Sequence, residues 1–516
     1  MENVIIIIVA AIPLSLFLFR WSKYHSRRLS LPPGPKGVPI LGNIFDVPDS
    51  MPWKGFQELS RVYGDVLHLK IPTQSIVVLG SAQAAFDLLD KRSDIYSSRP
   101  HKLMLDLISP RPWNLVVMKY GLRWRNYRRQ FHQYFHQHTV CDYRPIQVQQ
   151  CRAFLRRALD DPNNLSHHIR LIYSAIILKI VYGMDVTNMH DEYIQLAETA
   201  ISALSQVQVP GKFWIEFLPI LRWVPKWFPG AHFKRWAAMQ APIINEMVDK
   251  PFDSVMKNIA SGKAGESVVV TMIENMSVDS DEKLSQNERE EVARGVAGIA
   301  YGAAADTTAG AAQSFFIAMS LYPDVQRKAQ QELDNVVGRN RLPDFDDYDN
   351  LVYIQAIVLE CMRWMPATPI GVPHTVIRDD EYKGFFIPKD AMIVANQWAM
   401  LRDPEDYPEP DRFRPERFIK DGKLNNDVRD PTSISFGFGR RICPGRWLSS
   451  GSLFMTVASV LHTLDIHAIV GPDGKRYDPS NHIMEGTNLL IDKVPCFVTP
   501  RSEIAKKLIR EWTFSP

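Results

Sequence analysis

Apolar residues return at every third or fourth position over Trp124 to Gln133, Ile169 to Tyr182, Asn287 to Leu321, Val325 to Val337 and Tyr353 to Trp364, and this spacing predicts helices. Extended segments are fewer. Val66 to Ile71 and Ser75 to Leu79 flank a Pro-Thr turn, and Tyr382 to Ile387 and Met392 to Asn396 stand in a stretch rich in proline and glycine. The pattern predicts a mainly α fold with minor β. A different pattern opens the chain: Val4 to Phe19 carries no charge and is followed by Arg20, Lys23, His25, Arg27 and Arg28. Residues 1–22 are therefore expected to form an N-terminal transmembrane helix, short for a bilayer but extended by Trp21 at the interface. A cleavable signal peptide would need a charged start and a small-residue cleavage site, whereas Glu2 precedes this stretch and bulky and basic residues follow it. Basic residues on its C-terminal side place the body in the cytosol.

Residues 23–45 are basic and rich in proline, with Leu31-Pro-Pro-Gly-Pro-Lys-Gly-Val-Pro-Ile-Leu-Gly42 as a stiff, turning connector. No repeat and no second linker divides the remainder, so residues 46–516 are expected to be one large domain. Composition supports a folded body: 46% of residues are apolar and 23% charged, enough to bury a large core. The formal net charge of +3 is too small to argue for nucleic acid. The five cysteines are odd in number and dispersed, which excludes a disulfide framework or a Cys-rich zinc site and fits a reducing compartment.

One cysteine has a special setting. Ser435-Phe-Gly-Phe-Gly-Arg-Arg-Ile-Cys-Pro-Gly-Arg446 precedes an apolar helical run from Trp447 to Leu461. The helix start and the neighbouring Arg440, Arg441 and Arg446 are expected to lower the pKa of Cys443 and favour the metal-binding thiolate. Gly437, Gly439 and Gly445 allow a tight turn and the close approach of a flat ligand. A buried cysteine in a glycine-rich turn is the bland alternative. The long spacing Phe436-x-x-Gly439-x-Arg441-x-Cys443-x-Gly445 decides against it, because it resembles the haem-binding loop of the cytochromes P-450 at every fixed position.

That resemblance implies a single large helical domain with small β-sheets, the cytochrome P-450 fold, and a cofactor: haem b (iron protoporphyrin IX) with Cys443 as axial thiolate and metal ligand. A thiolate pushes electron density toward iron and suits oxygen activation. The resemblance makes Arg441 a partner of a haem propionate and packs Phe436 beside the sulfur. Trp124 and Arg128, one helical turn apart, and His374 match positions that hold the propionates. Glu360 and Arg363 share a helix face; alone they read as a solvated pair. Followed by Pro415-Glu-Arg417-Phe418 and then the haem loop, they resemble the family's buried charge network of Glu360, Arg363 and Arg417.

Ala303-Ala-Ala-Asp306-Thr307-Thr308 places an acid and hydroxyls in a small-residue, apolar stretch. Mid-helix threonines often bond back to the preceding turn. By resemblance this is the oxygen groove of the central helix, where Thr307 organises a water and Asp306 relays protons. The family usually has glycine at the position of Ala304.

The resemblance covers essentially the whole chain, in the style of eukaryotic membrane-bound members and above all fungal secondary-metabolism enzymes. It implies a monooxygenase in the endoplasmic reticulum membrane with its catalytic domain in the cytosol. Its partners would be O2, a hydrophobic small-molecule substrate and an NADPH-dependent flavoprotein reductase. Arg123, Arg125 and Arg129, with Arg440 and Arg446, offer a basic docking face for that reductase. A haem-thiolate isomerase or dehydratase, which can dispense with an acid–alcohol pair, and a non-enzymatic haem sensor are the alternatives. Pocket residues are expected in 101–117, 201–217, 299–307, 368–372 and 484–488, with Leu103, Leu105, Leu107, Ile108, Val207, Phe213, Ile370 and Val372 suggesting an apolar guest.

Overall fold

The computed structural model describes residues 29–208, 212–278, 285–470, 489 and 491–512. The expected anchor, residues 1–22, lies outside them. Among the described residues no helix is long and apolar enough to cross a membrane.

Among the described residues nine longer helices build the body: α1 (Leu122–Phe135), α2 (Arg144–Asp160), α3 (Leu165–Tyr182), α4 (Glu192–Gln208), α5 (His232–Ala260), α6 (Gln286–Leu321), α7 (Pro323–Val336), α8 (Val352–Trp364) and α9 (Arg446–Thr463). The 36-residue α6 is the axis of the molecule. Its start is sealed by a capping box in which Ser285 Oγ accepts from the Glu288 amide and the Glu288 carboxylate accepts from the Ser285 amide. Between Val292 and Ser320 it is apolar nearly all round and buried except at Arg294 and residues 303–307, as befits a helix that neighbours cover on most faces. Glycine sets how closely they come. A Cβ on Gly295 would lie 2.6 Å from the Tyr127 ring of α1, and one on Gly302 would lie 2.8 Å from Ile201 of α4.

The main sheet has four strands in the order β1 (Val66–Ile71), β2 (Gln74–Leu79), β6 (Met392–Ala395), β3 (His374–Thr375). β1 and β2 form a hairpin with Val66 opposite Leu79, and β2 runs parallel to β6 with Ile76 beside Met392. The single extended piece expected over Tyr382 to Ile387 is instead a tight hairpin of β4 (Asp380–Tyr382) and β5 (Phe385–Ile387). Lys383 and Gly384 both take positive φ, 51° and 79°, which reverses the chain in two residues.

The proline-rich connector is bonded to this sheet. The Asn43 amide N–H donates to the Lys70 carbonyl at 2.6 Å, Asn43 Oδ1 accepts from the Lys70 amide at 2.9 Å, and the His68 amide donates to the Pro33 carbonyl. Helices α2, α4 and α5 were not anticipated from the apolar spacing. In α5 the cause is plain: Pro242 and Pro251 read as breakers, yet a 29-residue helix runs through both.

Candidate active site

A cavity of about 360 Å³ lies between α6 and the loop that precedes α9. Phe436, Gly437, Cys443 and Gly445 form one wall, and Ala303, Ala304, Asp306 and Thr307 form the facing wall. The loop keeps its shape through the Cys443 amide, which donates to the Phe436 carbonyl at 2.8 Å. Gly439, at φ 52°, has no room for a side chain, since a Cβ there would lie 2.3 Å from the Leu89 carbonyl oxygen. At Gly445 the same position is open space beside the cavity.

The expected lowering of the Cys443 pKa is overturned. Burial pushes the thiol up, and the Gly445 and Arg446 amides with the charges of Arg128 and Arg446 pull it back only in part. Sequence shows the nearby charges but not the depth at which the sulfur sits.

One edge of the cavity is cationic. Arg99, Arg128, Arg441 and His374 border it, and among the described residues no acidic side chain pairs with any of the three arginines. Arg441 donates to the carbonyls of Ser97, Leu115 and Met118 at 2.7–3.2 Å and lies over the Trp124 ring at 4.4 Å. Arg99, to which the sequence reading gave no role, donates to the carbonyls of Val116, Val372 and Pro373. Burial and mutual repulsion push Arg441 well below the ordinary arginine value, and burial does the same to Arg99 and Arg128. His374 Nδ1 donates to the Tyr96 carbonyl at 2.7 Å; burial and the Arg99 and Arg441 charges hold it neutral. Beside them Trp124 Nε1 is buried without an acceptor, at a cost of about 1–3 kcal/mol. Two carboxylates at this edge would satisfy that donor and offset two of the three arginine charges, so the residues present fit a flat ring carrying two propionates.

On the facing wall the Thr307 hydroxyl donates back to the Ala303 carbonyl at 2.8 Å. Its oxygen lone pairs stay available to the cavity. Burial raises the Asp306 carboxyl, which the charge of Arg170 on α3 partly offsets, and Arg170 is itself paired with Glu198 of α4 at 3.2 Å. A carboxyl raised in this way holds a proton to higher pH than a free one, which suits it to a proton relay. α6 is continuous through Ala304. Thr308 lies next to Thr307 and reaches Ser449 of α9 at 3.1 Å, tying the two walls together.

Behind the cysteine loop, Glu360 and Arg363 are wholly buried, so the solvated-pair reading fails for them. Arg363 donates twice to the Glu360 carboxylate, Arg417 donates to it at 3.3 Å, and the Arg414 amide adds a bond at 2.7 Å.

The basic face is smaller than the sequence suggested. Arg123 is paired with Glu291 at 2.8 Å, Arg440 donates to the Tyr120 hydroxyl, and Arg446 donates to the Cys443 carbonyl. Arg125 and Arg129 are exposed, with no acidic partner among the described residues.

Of the eight apolar pocket residues singled out in the sequence, Val372 borders the cavity; the other seven pack in the core or on its margin. Residues 484–488 lie outside the described chain. Ser205 and Gln208, inside the expected 201–217 segment, and Gln397, which sequence reasoning missed, put polar groups on the wall.

A thiol facing a small-residue helix across a cavity edged by cations without acidic partners is the frame of a haem-thiolate enzyme. The chain belongs to the cytochrome P450 family, whose sequence profile it matches over residues 32–488. It is 38% identical over 504 residues to cytochrome P450 monooxygenase COX2 of Coprinopsis cinerea, covering 98% of this chain and 95% of that one. It is 37% identical over 505 residues to cytochrome P450 monooxygenase ple1 of Rhodocybe pseudopiperita, covering 97% and 96%. Tryptamine 4-monooxygenase of Psilocybe cyanescens is 35% identical over 503 residues, covering 96% and 98%. The protein is thus a haem monooxygenase with a cysteine thiolate as axial ligand. As a family member it uses O2, a hydrophobic substrate and a redox partner.

Proposed function

We propose that the protein inserts one oxygen atom from O2 into a hydrophobic small molecule of fungal secondary metabolism, with Cys443 as the thiolate that binds iron. Bound in the cavity, the haem supplies activation of dioxygen. Trp124, Arg128, Arg441 and His374 would hold the two carboxylates of the ring. Thr307 accepts a hydrogen bond from a water in the groove, and Asp306 passes it a proton. Glu360, Arg363 and Arg417 hold the segment before the cysteine loop in place.

The observation that carries this reading is that Cys443 and the Asp306–Thr307 pair line one and the same cavity. An isomerase or dehydratase needs no such pair. The small apolar surfaces of Ala303, Ala304, Ile299 and Val372 suit a terpenoid, polyketide or alkaloid skeleton. In this reading electrons arrive from an NADPH-dependent flavoprotein reductase, and residues 1–22 anchor the protein in the endoplasmic reticulum with its body in the cytosol. The test is turnover by the full-length protein with reductase and NADPH under 18O2, against a panel of those three substrate classes. One 18O atom in the product is expected; products formed without NADPH, or without label, would overturn the proposal.

A further inference from the structure

The cavity wall contains a buried amide that the reading above does not use. Gln397 follows β6 and is 2% exposed, yet it borders the cavity. Its backbone is held firmly: Asn396 accepts from the Ala399 amide and donates to the Trp53 carbonyl, and the Trp398 amide donates to the Pro369 carbonyl. Its side chain is oriented as well. The Thr368 hydroxyl donates to Gln397 Oε1 at 3.3 Å, which turns the NH2 group the other way. Among the described residues that NH2 group has no acceptor. Gly371 leaves space for it, since a Cβ there would stand 3.2 Å from Gln397 Nε2, and the φ of 56° at Gly371 disfavours any other residue.

The NH2 group opens onto the cavity, and a fixed donor without a protein partner there costs free energy when an apolar guest displaces its water, unless the guest accepts from it. The carboxylates of the ring are already provided for by Arg128, Arg441, Trp124 and His374. A neutral amide adds little to that set. We propose that Gln397, oriented by Thr368, donates a hydrogen bond to an oxygen acceptor on the substrate, so that this enzyme takes a hydrophobic skeleton that already carries a carbonyl, hydroxyl or ether oxygen. An upstream oxygenation or hydration must then supply the substrate. The proposal rests on the monooxygenase reading and deepens it.

The test uses the full-length, haem-loaded protein and a pair of probes that differ in one acceptor, the sesquiterpene hydrocarbon valencene and its ketone nootkatone. Dissociation constants come from the Soret shift on titration. The native protein is expected to prefer the ketone by about tenfold, the worth of one well-made hydrogen bond in a dry site. Gln397→Leu should reduce the ratio to about one, and Thr368→Val, which frees the amide to rotate, should cut it about threefold. No ketone preference in the native protein, or a preference that survives Gln397→Leu, would overturn the proposal. Low haem occupancy in Gln397→Leu, with an unchanged ratio in the fraction that keeps its haem, would mean that the acceptor is a haem carboxylate, which also overturns it. The reduced carbon monoxide spectrum, recorded on each sample, reports separately on the haem-thiolate reading.

Discussion

Arg363 grips Glu360 with two hydrogen bonds, Nε to Oε2 at 2.7 Å and Nη2 to Oε1 at 2.9 Å, and neither side chain reaches solvent. Arg363 also donates to the carbonyls of Leu401 and Arg412, and Arg417 to those of Pro408 and Glu409. One carboxylate thus balances two guanidinium groups that hold the segment 401–417 together. Removing it leaves both cations buried and uncompensated, at about 3–5 kcal/mol. Glu360→Gln is expected to lower the urea midpoint and yield protein with little haem, read from the Soret to 280 nm ratio. Full haem occupancy at native stability would show that the network is dispensable.

Thr307→Ala removes the hydroxyl that faces the groove and keeps the helix, since the bond it makes to Ala303 is local. Haem content and substrate affinity should stay near native. Product per NADPH should fall at least about tenfold, with hydrogen peroxide rising to match. Unchanged coupling would reduce Thr307 to a residue that bonds back along its helix.

Motifs that lie within one short stretch were readable in the sequence. The cysteine loop, the acid–alcohol pair and the Glu–x–x–Arg turn are each contiguous, and the long apolar run around the acid–alcohol pair predicted α6 nearly to its ends. What sequence could not show are pairings across the chain. Thr368 and Gln397 are 29 residues apart, Arg123 meets Glu291 from 168 away, and Arg99 reaches Val372 over 273. Each changes the meaning of a residue: one becomes an oriented donor, one loses its free charge, one becomes a brace for the cationic edge. Depth is hidden in the same way, which is why the Cys443 thiol shifts opposite to the direction its arginine neighbours suggest.

His68 on β1 is buried, and its pKa is pushed down from 6.5 to about 4 by burial and by Lys70. Among the described residues its Nε2 has no partner. A neutral imidazole in the folded state that protonates more readily when unfolded contributes stability above pH 6.5, and that contribution is lost as pH falls toward 4. At pH 5 the loss is about 2 kcal/mol. Urea midpoints at pH 7.5 and 5 should therefore differ less in His68→Leu than in the native protein. An equal difference would place the acid sensitivity elsewhere.

Arg125 and Arg129 are the exposed basic pair on α1, and in the proposed reading they face the reductase. Replacing both by Glu should lower reductase-driven turnover on the order of tenfold at low salt, with the gap narrowing as salt rises. Turnover driven by added peroxide should survive. Equal loss of both would point to damage at the neighbouring Trp124 and Arg128.

The central claim is that Cys443 is the thiolate that binds iron. Its most direct test is the reduced carbon monoxide difference spectrum of Cys443→Ser beside the native protein. A hydroxyl cannot replace the soft, electron-donating sulfur, and Cys141, Cys151, Cys361 and Cys496 do not border the cavity. The native protein is expected to give the red-shifted Soret band of a haem-thiolate, and Cys443→Ser is expected to lose it. A red-shifted band retained by Cys443→Ser would contradict the assignment.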